Sequence, residues 1–217
     1  MNKKFAIIIG GAGHRDGSEI QETIMTMLAI EKHNSTYELF APDRTQYHVI
    51  NHLTGEEMAE NRNMLVEAAR IARGKIKSLD DFNVLDFDAV IFPGGFGVAK
   101  NFFNYAFKGV KATVDEQIEQ VIKEIRAVNK PIGALCISPV LLAKVLQGIT
   151  VTIGNDDATA HDIELMGSHN INTSAGEVIS DKINKIFTTP AYMLNASGIS
   201  DIAEGADNLI TAILDNM

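Results

Sequence analysis

Ala89-Val90-Ile91-Phe92-Pro93-Gly94-Gly95-Phe96-Gly97 and, further along, Ile132-Gly133-Ala134-Leu135-Cys136-Ile137-Ser138-Pro139 say more about architecture than any other part of this chain. Each is a short, wholly apolar run that stops at small or turn-forming residues and gives way to helical spacing. Runs of this kind are strands buried on both faces, the kind found in parallel sheets covered by helices. After the first comes Val114 to Val128, with Ile118, Val121, Ile122 and Ile125 on one helical face. After the second, Ser138 can cap a helix that takes Pro139 at its first position and continues through Val140, Leu141, Ala143, Lys144 and Val145.

The same alternation extends in both directions. Phe5 to Ile9 predicts the first strand, and Ser18-Glu19-Ile20-Gln21 reads as a capping box opening a helix whose inner face would be Ile20, Ile24, Met27 and Leu28. Tyr37 to Phe40 predicts the second strand. Thr54-Gly55-Glu56-Glu57 repeats the capping-box pattern before a helix carrying Met64, Leu65, Ala68, Ala69 and Ile71 as far as Gly74. Ile149 to Ile153 predicts one more strand. The segment 178 to 188 alternates around a turn and predicts a small antiparallel hairpin, and Ile199 to Ile213 predicts a last amphipathic helix. The whole is an α/β chain with a mostly parallel sheet, and with no repeat or linker to divide it, residues 1–217 are expected to form a single domain. The irregular stretch from Phe40 to Leu53 reads as an insertion near a binding edge.

Composition narrows the function classes. The 217 residues hold 19 Lys plus Arg against 28 Asp plus Glu, a net charge of −9 that opposes nucleic acid and anionic lipid. No stretch approaches the roughly 20 apolar residues that span a bilayer, so no membrane is expected. A single cysteine cannot form an internal disulfide, and the apolar run after Met1-Asn2-Lys3-Lys4 is short for a secretory leader. The expected compartment is the cytoplasm.

Ligands of open parallel sheets bind beyond the carboxyl ends of the strands, which directs attention to three loops: Gly10 to Glu19, Pro93 to Gly97, and Cys136 to Pro139. The glycines of the first loop fit no phosphate-binding pattern, because Asp16 stands where a dinucleotide fingerprint needs glycine and no lysine follows Gly17. Cys136 is the sharper candidate. A sulfur at a strand-to-helix turn feels the unpaired N–H groups of the helix, which favour thiolate. A lone cysteine is just as commonly a small buried hydrophobe, and the sequence leaves both open. Side-chain-free backbone at Gly94 and Gly95 could stabilise an oxyanion, or simply end a strand. Glu19 could hold or deprotonate the sulfur, or simply favour its helix N-terminus. His48 and His52 are four residues apart, but their surroundings do not read as helix, and no metal is expected.

Together with Asp16-Gly17-Ser18-Glu19-Ile20, Asn51-His52-Leu53-Thr54-Gly55-Glu56 and Thr188-Thr189-Pro190-Ala191-Tyr192-Met193, these segments resemble the ElbB glyoxalase family (enhancing lycopene biosynthesis proteins), within the PfpI and class I glutamine amidotransferase-like superfamily. The quoted segments span nearly the whole chain. The resemblance implies a three-layer α/β/α sandwich of flavodoxin-like type, with Cys136 on a nucleophile elbow and Glu19 as its carboxylate partner. It implies Gly95 and Ile137 amides as the oxyanion site, with Gly94 as neighbour. It further implies a cofactor-free glyoxalase acting on small 2-oxoaldehydes, and a homodimer.

One departure from the superfamily pattern stands out. Ile137 follows the cysteine where a histidine is common, and Gly154 occupies the later strand-end position that can supply one. A Cys-His-acid triad of proteolytic or glutaminase type is therefore not expected, unless His14 or His161 folds inward. The alternative to an enzyme is a redox or carbonyl-stress sensor whose Cys136 is modified without turnover.

Overall fold

The computed structural model describes residues 2–195 and 197–217. In chain order its elements are β1 (Lys4–Ile8), α1 (Ile20–Lys32), β2 (Thr36–Ala41), α2 (Met64–Ile71), β3 (Ile76–Ser78), β4 (Ala89–Phe92), α3 (Val98–Asn101) and α4 (Tyr105–Lys108). They continue with α5 (Glu116–Ala127), β5 (Ile132–Leu135), α6 (Ser138–Leu146), β6 (Thr150–Val151), α7 (Asp157–Leu165), β7 (His169–Asn170), β8 (Ile179–Asp181), β9 (Ile186–Thr189) and α8 (Ile199–Leu214). Seven strands form one sheet in the order β3-β2-β1-β4-β5-β9-β8. Every pair in it is parallel except β8–β9, the expected hairpin.

The chain leaves β1 toward β2 in one direction along the sheet and leaves β4 toward β5 in the other. Right-handed crossovers then place α1 and α5 on opposite faces, giving three layers of α/β/α type. β4 and β5 are buried at every position, as their unbroken apolar sequences require. The direction of connection reverses between β1 and β4, so a crevice opens beyond their carboxyl ends, beside that of β5.

Three expectations need correction. Ile149 to Ile153 contributes only β6, which pairs with β7 in a separate two-stranded sheet. Thr54 to Glu57 opens no helix: it lies in a hairpin-like loop bridged at Ile50–Glu57 and Thr45–Asn63, and the helix after it is capped by Asn63, whose side chain accepts from the Val66 N–H. The third concerns α1. Ser18 does not cap it, because the Ser18 hydroxyl is buried and accepts from the Gly10 N–H at 2.9 Å. The cap is Glu19, which accepts from the Glu22 N–H at 2.6 Å. The expected inner face is turned outward: Ile20, Ile24 and Leu28 are exposed, while Glu22, Thr23, Thr26, Ala29 and Ile30 are buried.

Candidate active site

Cys136 ends β5 with φ of +58°, a left-handed conformation that costs a non-glycine residue about 1–3 kcal/mol and must be held by its surroundings. Two backbone ties hold it. The Cys136 N–H donates to the Thr189 carbonyl at 3.1 Å, and the Ser138 hydroxyl, on the first residue of α6, donates to the Pro93 carbonyl at 2.8 Å. The sharp bend leaves the sulfur against the N–H groups of Gly95 and Ile137.

The loop after β4 comes within touching distance of the elbow because it lacks side chains. A Cβ on Gly94 would lie 2.4 Å from the Cys136 Cβ, and one on Gly95, where φ is +105°, would lie 2.4 Å from the Glu19 nitrogen. Both glycines are therefore required by close approach.

The sequence placed Glu19 as the carboxylate partner and missed the residue that touches the sulfur. That residue is Glu22. Glu19 sits one turn earlier, its carboxylate occupied with the Glu22 N–H and its own N–H donating to the Gly94 carbonyl at 2.9 Å. The Glu22 carboxyl is completely buried and lies beside the Cys136 side chain, both meeting at the bare face of Gly94. It also accepts from the Gly94 N–H at 2.8 Å and, on its other oxygen, from the Tyr192 N–H at 3.3 Å. Gly94 thus spends its N–H on Glu22, leaving Gly95 and Ile137 as the amides that face the sulfur. Tyr192 owes its inward N–H to Ala191, another non-glycine residue with positive φ, +44°.

A signal for Glu22 does exist in the sequence. Glu19, Glu22, Thr23 and Thr26 form a polar row at helical spacing, which is anomalous only once that row is known to face the sheet.

Electrostatics revise the expectation of a freely ionised sulfur. Burial pushes the Cys136 thiol well above its ordinary range, and the adjacent Glu22 carboxylate pushes it further, against the pull of the Gly95 and Ile137 N–H groups. Burial, followed by the charge of Glu19, raises Glu22 to about 7, while the Tyr192 and Gly94 N–H groups and the thiol oppose that shift. Glu19 is itself raised, chiefly by burial. Two groups that resist ionisation in contact titrate as one site: with a single proton between them, thiolate forms only when that proton resides on Glu22.

Among the described residues, no histidine completes this arrangement. Gly154 packs against Leu194, His161 is exposed on α7, and His14 lies edge-on to His52 with ring centroids 5.0 Å apart. His52 stands 3.7 Å from the buried Asp16, whose other carboxylate oxygen accepts from the Ile50 N–H at 2.8 Å. Among the described residues, no group of three or more His, Cys, Asp and Glu side chains gathers as a metal site.

A cysteine on a strand-to-helix elbow, facing a helix-borne glutamate and flanked by glycine amides on a flavodoxin-like sheet, places the molecule among the class I glutamine amidotransferase-like α/β proteins. The crystal structure of an isoprenoid biosynthesis protein with an amidotransferase-like domain from Ehrlichia chaffeensis superimposes with a TM-score of 0.91 at 35% identity, over 99% of this chain and 100% of that one. The ES1 protein homolog, mitochondrial, of Rattus norvegicus is 37% identical over 98% of this chain and 83% of its own length. The human glutamine amidotransferase-like class 1 domain-containing protein 3, mitochondrial, is 38% identical over 98% and 82%. The chain belongs to this ES1 and ElbB-like family of the class I glutamine amidotransferase-like and PfpI superfamily. No family model matches it. A glyoxalase III structure from Candida albicans shares the fold, with a TM-score of 0.60 at 13% identity over 97% of both chains. The cytoplasmic expectation is overturned here, because the rat and human relatives are both named mitochondrial; charge and the absence of a long apolar run do not select a compartment.

Proposed function

We propose that this protein is a cofactor-independent glyoxalase that hydrates and isomerises small 2-oxoaldehydes such as glyoxal to hydroxy acids. The observation that carries the proposal is the contact of the fully buried Glu22 carboxyl with Cys136, between the Gly95 and Ile137 amides.

The sulfur, its proton passed to Glu22, adds to one aldehyde carbon, and the resulting oxyanion is held by the Gly95 and Ile137 N–H groups and protonated by Glu22. Glu22, now a carboxylate, removes the proton from that carbon to give an enediolate. Returning the proton to the neighbouring carbon, while the hydroxyl proton moves to the other oxygen, leaves a thioester of glycolate. Water cleaves the thioester, releasing glycolate and the thiol, so that glyoxal and one water become glycolic acid. A carboxyl poised near pH 7 suits a group that must both give and take a proton. Glu19, the site's expected carboxylate, serves in this scheme by fixing the first turn of α1 and so the position of Glu22.

The test is glycolate production from glyoxal by the full chain, compared with Cys136→Ala and Glu22→Gln. Turnover lost in both supports the reading, and turnover retained in Cys136→Ala overturns it. The homodimer belongs to the same proposal and is checked by light scattering in solution. The sensor alternative is favoured by the missing histidine but opposed by a cysteine that is only 7% exposed and resists ionisation. Accumulation of oxidised Cys136 under stoichiometric peroxide, read by mass spectrometry, would restore it.

A further inference from the structure

Far from Cys136, at the other end of β2, the sheet is incomplete. β3 joins β2 only from Leu39 onward, in the register Leu39–Ile76, Phe40–Lys77 and Ala41–Ser78, so among the described residues Thr36 to Glu38 has no strand partner on that side. The Thr36 N–H bonds the Lys3 carbonyl and the Phe40 carbonyl accepts from Ile9, both on the β1 side. Period-two alternation therefore turns the Tyr37 N–H and C=O toward the gap, where they meet no backbone partner among the described residues.

The gap is a cavity of about 910 Å³ between this edge, α1 and the turn that leads from α2 into β3. That is the size of a small-molecule pocket. Met27, Leu39, Ile71 and Ile76 supply its apolar wall.

The charge of the cavity is distinctive in a chain of net charge −9. The two acids in its lining are engaged: Glu38 is paired with Lys4 and Lys77 at 2.7 Å each, and Glu31 accepts from the Tyr37 hydroxyl at 3.0 Å. Arg73 and Lys75 are not engaged; both are exposed and neither forms an ion pair among the described residues. They are held at the rim by a turn in which Arg73 and Gly74 are both left-handed, φ +52° and +78°, closed by the Gly74 N–H on the Ala69 carbonyl at 2.8 Å.

We infer that this cavity binds a small amphipathic anion, a carboxylate or phosphate carried on a short apolar body. The body lies against Met27, Leu39, Ile71 and Ile76, and the anion sits between Arg73 and Lys75. This site is independent of the glyoxalase reading, because it contains no residue of the Cys136 site.

Octanoate and octyl phosphate are the probes, with octanol and inorganic phosphate as the uncharged and chainless controls, titrated into the full chain by calorimetry and by the methyl resonance of Met27. Saturable binding of either anion is expected, with a shift at Met27. It should weaken roughly tenfold in the double variant Arg73→Glu, Lys75→Glu, the scale of two partly exposed ion pairs. It should be intermediate in Arg73→Gln, Lys75→Gln and unchanged in Cys136→Ala. Preference between the two anions distinguishes a carboxylate from a phosphate ligand. The inference is overturned if neither anion binds, if octanol or inorganic phosphate binds as tightly, or if the charge-reversed variant, folded by circular dichroism, binds unchanged.

Discussion

Helices α1 and α8 pack against each other, and both carry an apolar stripe in sequence, yet only one buries it. In α8 the row Ile202, Ala206, Leu209, Ile210 and Ile213 faces the core as its spacing predicts. In α1 the row Ile20, Ile24 and Leu28 faces outward, and a glutamate and two threonines take the inner positions. Two of those polar groups find partners along the helix itself, since the Thr23 and Thr26 hydroxyls donate to the Glu19 and Glu22 carbonyls at 2.7 and 2.8 Å. The third, Glu22, finds them outside it. α8 turns its apolar row to the core, whereas α1 is turned so that it delivers a carboxyl to Cys136.

The sharpest way to break this contrast is at Glu22. Cys136→Ala should abolish glyoxal turnover, and Glu22→Gln should lower kcat/KM by about 10²–10⁴, the range associated with loss of a positioned acid–base. Glu19→Gln, by contrast, should act through positioning and cost far less, and an equal loss in both would show that the two glutamates have been ranked wrongly. In the wild type, turnover should rise with pH through about 7, as the pair loses its first proton, and fall again at alkaline pH as the second leaves.

Next in size come the energetics of the two helices. Leu209→Ala removes a fully buried side chain and should cost about 2–5 kcal/mol in denaturant unfolding, while Leu28→Ala on the outward face should fall within about 0.5 kcal/mol. A large loss at Leu28 would mean that its face is covered in solution.

Glu22 also sets a pH dependence. Its folded pKa is raised, so the folded chain holds the proton more tightly than the unfolded one. The stabilisation is complete below the ordinary carboxylate value and is lost as pH climbs from about 4.5 to about 7. Glu22→Gln should flatten that decline and gain up to about 3 kcal/mol at pH 8 relative to wild type, measured by urea unfolding at several pH values. A wild-type curve that is flat across this window would contradict the burial of Glu22.

The smallest effect on turnover is expected at Ser18. Ser18→Ala leaves the buried Gly10 N–H without its acceptor, for a loss of about 1–3 kcal/mol at most, with turnover nearly unchanged.

Much of this molecule follows from local chemistry that a linear sequence displays. The strands Ala89–Phe92 and Ile132–Leu135 are written as unbroken apolar runs, the hairpin around 178–188 as alternation, and the cysteine elbow as a strand ending against Ser-Pro. Each of these depends on neighbours close in the chain, so each was legible. The rotation of α1, the choice of Glu22 over Glu19, the diversion of the Gly94 amide and the protonation of Cys136 depend on contacts of Glu22 with groups between 72 and 170 residues away. Helical periodicity records which side chains share a face but not which face turns inward. That choice was made by a buried carboxyl satisfied by two backbone N–H groups beside a sulfur, and only the folded chain brings those groups together.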